Sequence, residues 1–335
     1  MILVTGATGI LGRVIVLELL KRGKTVRATK RKTSDLDEVK NSFKFYTENP
    51  DDFFKKIQWV NVNFEDIYSI QKALVGVEEV YHCAAKVSFH PKNEKKMYQT
   101  NIEGTKQLLY ACENSSVKKF LFVSSIAVLD GFNENGELDE SSDFNPKIDH
   151  SAYAISKHFA EMEVWRASAE GLNVIIVNPG LIIGSGNWKE SSGTLFTEFE
   201  KNDYTFSGGT SYVDVRDVAK ISVELIEQNA FGERFILISE SAKYEDIGNF
   251  IRQKLGKSPL KLLPNAVLKV GFYLNLLFGW LFSPLRMANK VNIKSVTEFS
   301  KISNKKIKEK LHYNFISVEE SLAFHVENYK KDSSQ

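Results

Sequence analysis

The chain opens with an apolar run, Ile2–Thr5, that passes through Thr5-Gly-Ala-Thr-Gly-Ile-Leu-Gly12 into Ile10–Lys21, where apolar residues recur at three- and four-residue spacing. A strand that turns through glycine into an amphipathic helix is the first half of a strand–helix–strand unit. The same alternation continues to about residue 180. Strands are predicted at Ile2–Thr5, Thr25–Thr29, Gln58–Val62, Glu79–Cys83, Phe120–Ser124 and Asn173–Asn178, and helices at Ile10–Lys21, Ser69–Leu74, Tyr98–Ser115 and Ala152–Ala169. Short Val-, Ile- and Phe-rich runs separated by helices imply strands buried on both faces, so the expected fold is α/β, a doubly wound parallel sheet over residues 1–180. After Pro179-Gly180 the alternation loosens and Gly184, Gly186, Gly193, Gly208 and Gly209 punctuate loops. Residues 181–330 are therefore expected to form mainly a smaller α/β domain, with some later segments returning to the sheet and 331–335 as a frayed tail.

With 335 residues, 43% of them hydrophobic, the chain can bury a sizeable core, which excludes a disordered or fibrous class. Forty-four Lys and Arg against 42 Asp and Glu leave a net charge of +2, so nothing global points to nucleic acid. Cys83 and Cys112 are too few for a disulfide framework, and no Cys/His cluster has zinc-ligand spacing. The first residues lack a basic segment followed by a long apolar one, so a cytoplasmic location is expected.

Gly6, Gly9 and Gly12 sit where a chain must turn tightly beneath a pyrophosphate. The backbone of Thr5, Gly6, Thr8, Gly9, Ile10 and Gly12 would face the phosphates, aided by the partial positive charge of the helix N-terminus. This is the nucleotide end of a Rossmann domain. An acidic residue at the end of the second strand would select NAD(H), whereas this chain reads Thr29-Lys30-Arg31-Lys32 with no carboxylate before Asp35. Lys30, Arg31 and Lys32 thus favour NADP(H), with Arg31 as the principal contact to a 2′-phosphate; NAD(H) and an ordinary solvated basic loop are the alternatives. Asn63 and Phe64, one strand further on, are placed to reach the adenine edge.

Tyr153-Ala-Ile-Ser-Lys157 puts a phenol and an ammonium on one helical face. Free tyrosine titrates near pH ~10, so proton transfer near neutrality requires a shift of roughly 4 kcal/mol, which a cation at about 4 Å could supply. Tyr68-Ser-Ile-Gln-Lys72 has the same spacing, but Tyr153 follows Phe120-Leu-Phe-Val-Ser-Ser125, a strand whose end opens toward the nicotinamide side of such a sheet. Ser125 is the natural hydroxyl partner for a substrate oxygen; the plain alternative is a serine satisfying strand-end backbone.

Together, Thr5-Gly-x-x-Gly-x-x-Gly12, His82-Cys-Ala-Ala85, Asn101-Ile-Glu-Gly-Thr105, Val123-Ser-Ser125, Tyr153-x-x-x-Lys157, Asn178-Pro-Gly180 and Tyr212-Val-Asp-Val-x-Asp217 resemble, in order and spacing, the extended short-chain dehydrogenase/reductase family. The resemblance implies hydride chemistry with a nicotinamide cofactor, a Ser125–Tyr153–Lys157 triad, and Asn101 supporting the site. It further implies Ala84, Ala85, Lys157 and Pro179 beside the cofactor, with Lys157 on the nicotinamide ribose, and a homodimer formed through the helices Tyr98–Ser115 and Ala152–Ala169.

Nucleotide-sugar epimerases and dehydratases of this family carry an arginine where this chain has Thr210, and dehydratases an Asp-Glu pair where it has Ile126-Ala127. Val26-Arg-Ala-Thr29 before Arg31, with Tyr212-Val-Asp-Val-Arg-Asp217, is more similar to the dihydroflavonol-reductase and 3β-hydroxysteroid-dehydrogenase-like branch. That implies carbonyl/alcohol interconversion on a largely apolar small molecule. A nucleotide-sugar epimerase with tightly held NAD and a non-catalytic NADP-sensing regulator remain the other readings. Val270–Phe282 is almost wholly apolar but too short to span a bilayer, leaving a core helix, a lid over an apolar substrate, or an interfacial helix that contacts a membrane surface.

Overall fold

A computed structural model describes residues 1–189 and 191–333. The strands, in chain order, are β1 (Ile2–Thr5), β2 (Val26–Lys30), β3 (Gln58–Asn61), β4 (Glu79–His82), β5 (Lys119–Val123), β6 (Asn173–Pro179), β7 (Leu181–Ile183), β8 (Tyr204–Thr205), β9 (Gly209–Asp214), β10 (Glu233–Leu237), β11 (Glu240–Lys243) and β12 (Lys261–Leu262). Seven of them form one parallel sheet in the order β3-β2-β1-β4-β5-β6-β10. The doubly wound α/β fold expected from the alternation is present.

Alternate residues of each central strand enter different cores, which explains why the strands read as unbroken apolar runs. Val4, Leu121, Val123, Ile175 and Val177 pack with the helices Ile10–Lys21 and Val215–Glu227. Leu3, Phe120, Phe122, Val174 and Ile176 face the helices Ile67–Leu74, Gly104–Glu113 and Ala152–Ala169 on the other side. The Ala152–Ala169 helix is started by Ser151, whose hydroxyl accepts from the Ala154 N–H at 3.1 Å.

Strand ends differ from expectation by a residue or two; β5, for instance, begins at Lys119 and stops at Val123, because the ladder with β6 ends there. The helix expected at Tyr98–Ser115 starts earlier, at Glu94, and passes through one π-helical turn, Gln99–Glu103, before Gly104–Glu113. Beyond Pro179 the chain crosses between two units. The Val215–Glu227 helix and β10 complete the first, while β7, β9 and β11 form a three-stranded sheet over a separate core of Ile183, Phe196, Tyr212, Ile251 and Leu322. The Val318–Ser333 helix closes that core, so 331–333 continue a helix rather than fray; the last two tail residues lie outside the described ones.

A buried polar group ties the C-terminal helix to the strands. Asp214 accepts from Arg216 at 2.7 Å, Ser321 at 2.7 Å and His325 at 3.2 Å. No described helix is long and apolar enough to cross a membrane. The core-helix reading of Val270–Phe282 is excluded: Tyr273, Leu277 and Trp280 are 62%, 64% and 75% exposed.

Candidate active site

Because all seven strands run the same way, their C-terminal ends share one edge. Gly6, Lys30–Lys32, Asn63, Ala84, Ala85, Ser125 and Pro179 all follow or end strands along it. The strand order reverses between β1 and β4, and in such sheets the crevice at the reversal receives the ligand.

At β1 the glycines have distinct reasons. Gly6 adopts φ +64°, and a side chain there would meet the Ala84 backbone at 2.6 Å, so only glycine lets the loops after β1 and β4 close together. A Cβ on Gly12 would collide with the Gly6 carbonyl. Gly9 precedes the Ile10–Lys21 helix with no side-chain cap, leaving the first-turn N–H groups to an external acceptor. This cradle fits a dinucleotide pyrophosphate. Sequence reasoning missed what supports it: Arg13, wholly buried, donates to the carbonyls of Thr8 and of Gly9 (3.2 Å) and forks onto Glu38 at 2.6 and 2.8 Å. Glu38 also accepts from the Asn187 N–H at 2.8 Å.

At β2, Arg31 and Lys32 are exposed and Lys30 half-buried, and among the described residues none has a carboxylate partner. Asp35, the first carboxylate after them, is already occupied, accepting from the N–H groups of Asp37 and Glu38 to start the next helix. Asn63 accepts from the Glu65 N–H in its own turn at 3.2 Å, and Phe64 packs against Gly104 and the His82 ring rather than standing free.

The Ala152–Ala169 helix lays Tyr153 and Lys157 beside the end of β5. The Tyr153 phenol lies beside the Ser125 side chain, whose hydroxyl accepts from the Ala127 N–H at 3.2 Å, and the Tyr153 ring meets Phe89 edge-on at 6.3 Å. The decoy Tyr68 is 78% exposed. Lys157 is buried; its Nζ donates to the Val123 carbonyl at 2.6 Å and sits 4.5 Å from the Phe122 ring centroid. Burial lowers its pKa to about 8, against the opposing pull of Glu161 one turn on. Burial pushes the Tyr153 phenol up, and the neighbouring Ser125 side chain opposes that. In this arrangement the Tyr153 phenol is raised rather than lowered, and the Lys157 ammonium is engaged by the Val123 carbonyl.

Among the described residues, the Asn101 side chain makes no hydrogen bond to Tyr153 or Lys157. It lies in the π-helical turn, accepts from the Lys86 N–H at 2.7 Å, and donates to the Lys86 carbonyl and the Ser156 hydroxyl, both at 2.9 Å. It therefore fastens the loop after β4 to the Ala152–Ala169 helix. A chain of buried hydrogen bonds reaches it from the nucleotide loop: Thr5 Oγ1 to His82 Nδ1 at 2.6 Å, His82 Nε2 to Thr105 Oγ1 at 2.9 Å, and Thr105 to the Asn101 carbonyl at 2.6 Å. Burial lowers His82 to about 3, so the ring is neutral, and Nε2–H donation to Thr105 satisfies every link. On the other side of Lys157, buried Glu161 accepts from Ser124 at 2.6 Å and Asn178 at 3.3 Å, and pairs with Arg234 at 3.4 Å.

Comparison with known proteins agrees with this construction. The family model described as the NAD dependent epimerase/dehydratase family matches residues 2–237. The chain is 28% identical over 257 residues to sterol demethylase protein B of Methylococcus capsulatus, covering 76% of this chain and 74% of that one. It is 27% identical over 266 residues to dihydroflavonol 4-reductase of Arabidopsis thaliana, covering 75% and 68%. The crystal structure of gox2253 superposes with a TM-score of 0.82 at 25% identity, covering 99% and 98%. The chain thus belongs to the NAD-dependent epimerase/dehydratase family, as an extended short-chain dehydrogenase/reductase with dihydroflavonol-reductase-like relatives, and is an NAD(P)-dependent enzyme.

Proposed function

We propose that the protein is an NADP(H)-dependent oxidoreductase that interconverts a carbonyl and an alcohol on a largely apolar small molecule. The observation that carries this reading is the placement of Tyr153 beside Ser125 at the open end of β5, one helical turn from the buried Lys157. When bound, the nicotinamide supplies or accepts the hydride. Ser125 and Tyr153 hold the substrate oxygen between their hydroxyls, and in reduction Tyr153 gives it a proton. A phenol raised by burial holds its proton until the carbonyl oxygen gains negative charge, which suits it to the acid role. In the reverse direction Lys157, cationic below about pH 8, favours the phenolate once its ammonium leaves the Val123 carbonyl.

Two features support an apolar substrate. Val87 and Phe89, 41% and 49% exposed, lie on the loop beside Tyr153, and the relatives above are named for a sterol and a dihydroflavonol. Selection of the phosphorylated cofactor is supported by Lys30, Arg31 and Lys32, which lack carboxylate partners among the described residues, and by the engagement of Asp35 elsewhere. Fluorescence titration tests it: NADPH is expected to bind at least about tenfold more tightly than NADH, with Arg31→Asp abolishing the preference. Equal affinities indifferent to Arg31 would overturn the cofactor assignment. Pairing into a dimer through the Gly104–Glu113 and Ala152–Ala169 helices is supported by Tyr110, Phe159 and Met162, which stand 39%, 51% and 52% exposed.

A further inference from the structure

The helix Asn265–Phe278 inverts the usual arrangement of a surface helix. Its covered stripe contains Leu268, Gly271, Phe272 and Asn275 and continues to Gly279, which packs against the turn Ser283–Met287 through Arg286 Nε to the Gly279 carbonyl at 2.7 Å. Its outward side carries Val270, Tyr273, Leu277 and, just beyond, Trp280 and Leu281, each 57% to 75% exposed. The covered stripe holds Gly271, Asn275 and Gly279 with only Leu268 and Phe272, while most of the segment's leucines and aromatics face out. Such a face is not finished by water.

Charge identifies what finishes it. Residues 256–297 contain no Asp or Glu and six Lys or Arg, in a chain whose Asp and Glu number 42. Three of the six, Lys257, Lys290 and Lys294, lie within 4 Å of carboxylates elsewhere. Lys261 and Lys269 have no carboxylate partner among the described residues, and both are exposed, Lys269 on the helix itself and Lys261 on the short strand just before it. An apolar surface rimmed by cations without anions is complementary to one environment in particular, hydrocarbon lying under anionic headgroups. At 14 residues the helix is about 21 Å long, short of the ~30 Å bilayer core, so it lies in the interface.

The same segment reaches the active-site mouth. His90 meets the Ser283 carbonyl at 3.1 Å, and Asn292 donates to the Phe89 carbonyl at 3.2 Å, while the Phe89 ring abuts Tyr153. Ser88, Phe89, His90, Ala152, Asn289 and Asn292 line a cavity of about 200 Å³ between them. We propose that residues 265–282 dock the enzyme on the surface of an anionic phospholipid bilayer, which places the site's entrance at the interface where an apolar substrate is dissolved. The docking itself does not depend on which reaction the site performs.

Flotation with vesicles tests it directly, using phosphatidylcholine alone and phosphatidylcholine with phosphatidylglycerol, at low and high salt. The full-length protein is expected to float with the anionic vesicles, with at least about tenfold weaker partition to neutral ones and to anionic ones at high salt. Leu277→Glu with Trp280→Glu should lose at least about tenfold in partition with an unchanged thermal melt, since both side chains are exposed. Lys261→Glu with Lys269→Glu should remove the preference for anionic lipid. Three results would overturn the proposal: no flotation of the wild type, flotation indifferent to the acidic pair, or a wild-type oligomer that the acidic pair dissolves while no vesicle binds, which would assign the face to a second copy of the chain.

Discussion

Lys157 concentrates the tension between stability and chemistry at a single residue. A buried ammonium whose pKa falls from 10.5 to about 8 costs the folded state roughly 3 kcal/mol while it stays charged. Because the folded pKa lies below the unfolded one, the unfolded chain binds the extra proton between about pH 8 and 10.5, and stability rises with pH across that window. Lys157→Met should lack this rise. Urea unfolding of both proteins at the two ends of the window checks it, and parallel pH dependences would contradict the assignment. The same titration should appear in catalysis, with turnover level below about pH 8 and falling above it as the ammonium is lost. Tyr153, Lys157, Ser125 and the three glycines were legible in the sequence because each belongs to a short spacing whose geometry a strand or helix fixes. Arg13, Glu161 and the bonding of His82 were not, since their partners Glu38, Ser124 and Thr105 lie 25, 37 and 23 residues away and meet only on folding.

Among the elements, the nucleotide loop owes its shape to more than glycine. Arg13 reaches back from the second turn of the Ile10–Lys21 helix to hold the Thr8 and Gly9 carbonyls, and Glu38 anchors it from the helix that follows the basic loop. Arg13→Met removes the guanidinium from the Thr8 and Gly9 carbonyls and leaves the partly exposed Glu38 with only the Asn187 N–H. The expected result is a loss of about 2 kcal/mol in unfolding free energy and about tenfold in NADPH affinity, read by urea unfolding and by titration. Unchanged affinity would mean that glycine geometry alone sets the loop. Element types were readable from periodicity, but ends were not: Glu94–Tyr98 joins the helix that follows through a π-helical turn at Asn101, where side-chain bonds to Lys86 and Ser156 decide the backbone. Val270–Phe282 shows a different limit. Apolar composition marks a surface that excludes water without saying whether protein or lipid provides the cover.

For the whole molecule, chain order and spatial order part company after Pro179. The Val215–Glu227 helix and β10 return to the first unit because the parallel sheet has a free edge at β6, whereas β9 and the Val318–Ser333 helix are joined through Asp214, His325 and Ser321. Burial would raise the Asp214 carboxyl, but hydrogen bonds from Arg216 and His325 outweigh it and hold the group well below the ordinary range. Assembly is a property of this scale as well. Phe159→Glu with Met162→Glu is expected to convert a dimer to a monomer in sedimentation equilibrium, and an unchanged mass would remove the helix-pair interface from the account. The central claim concerns net redox at a carbonyl with Tyr153 as its proton donor, and reduction of apolar ketones by NADPH deuterated at both C4 positions tests it most directly. The account predicts deuterium at the carbinol carbon in step with cofactor loss, slowed at least about a hundredfold in Tyr153→Phe. A product without deuterium or net cofactor consumption, or full turnover by Tyr153→Phe, would contradict it.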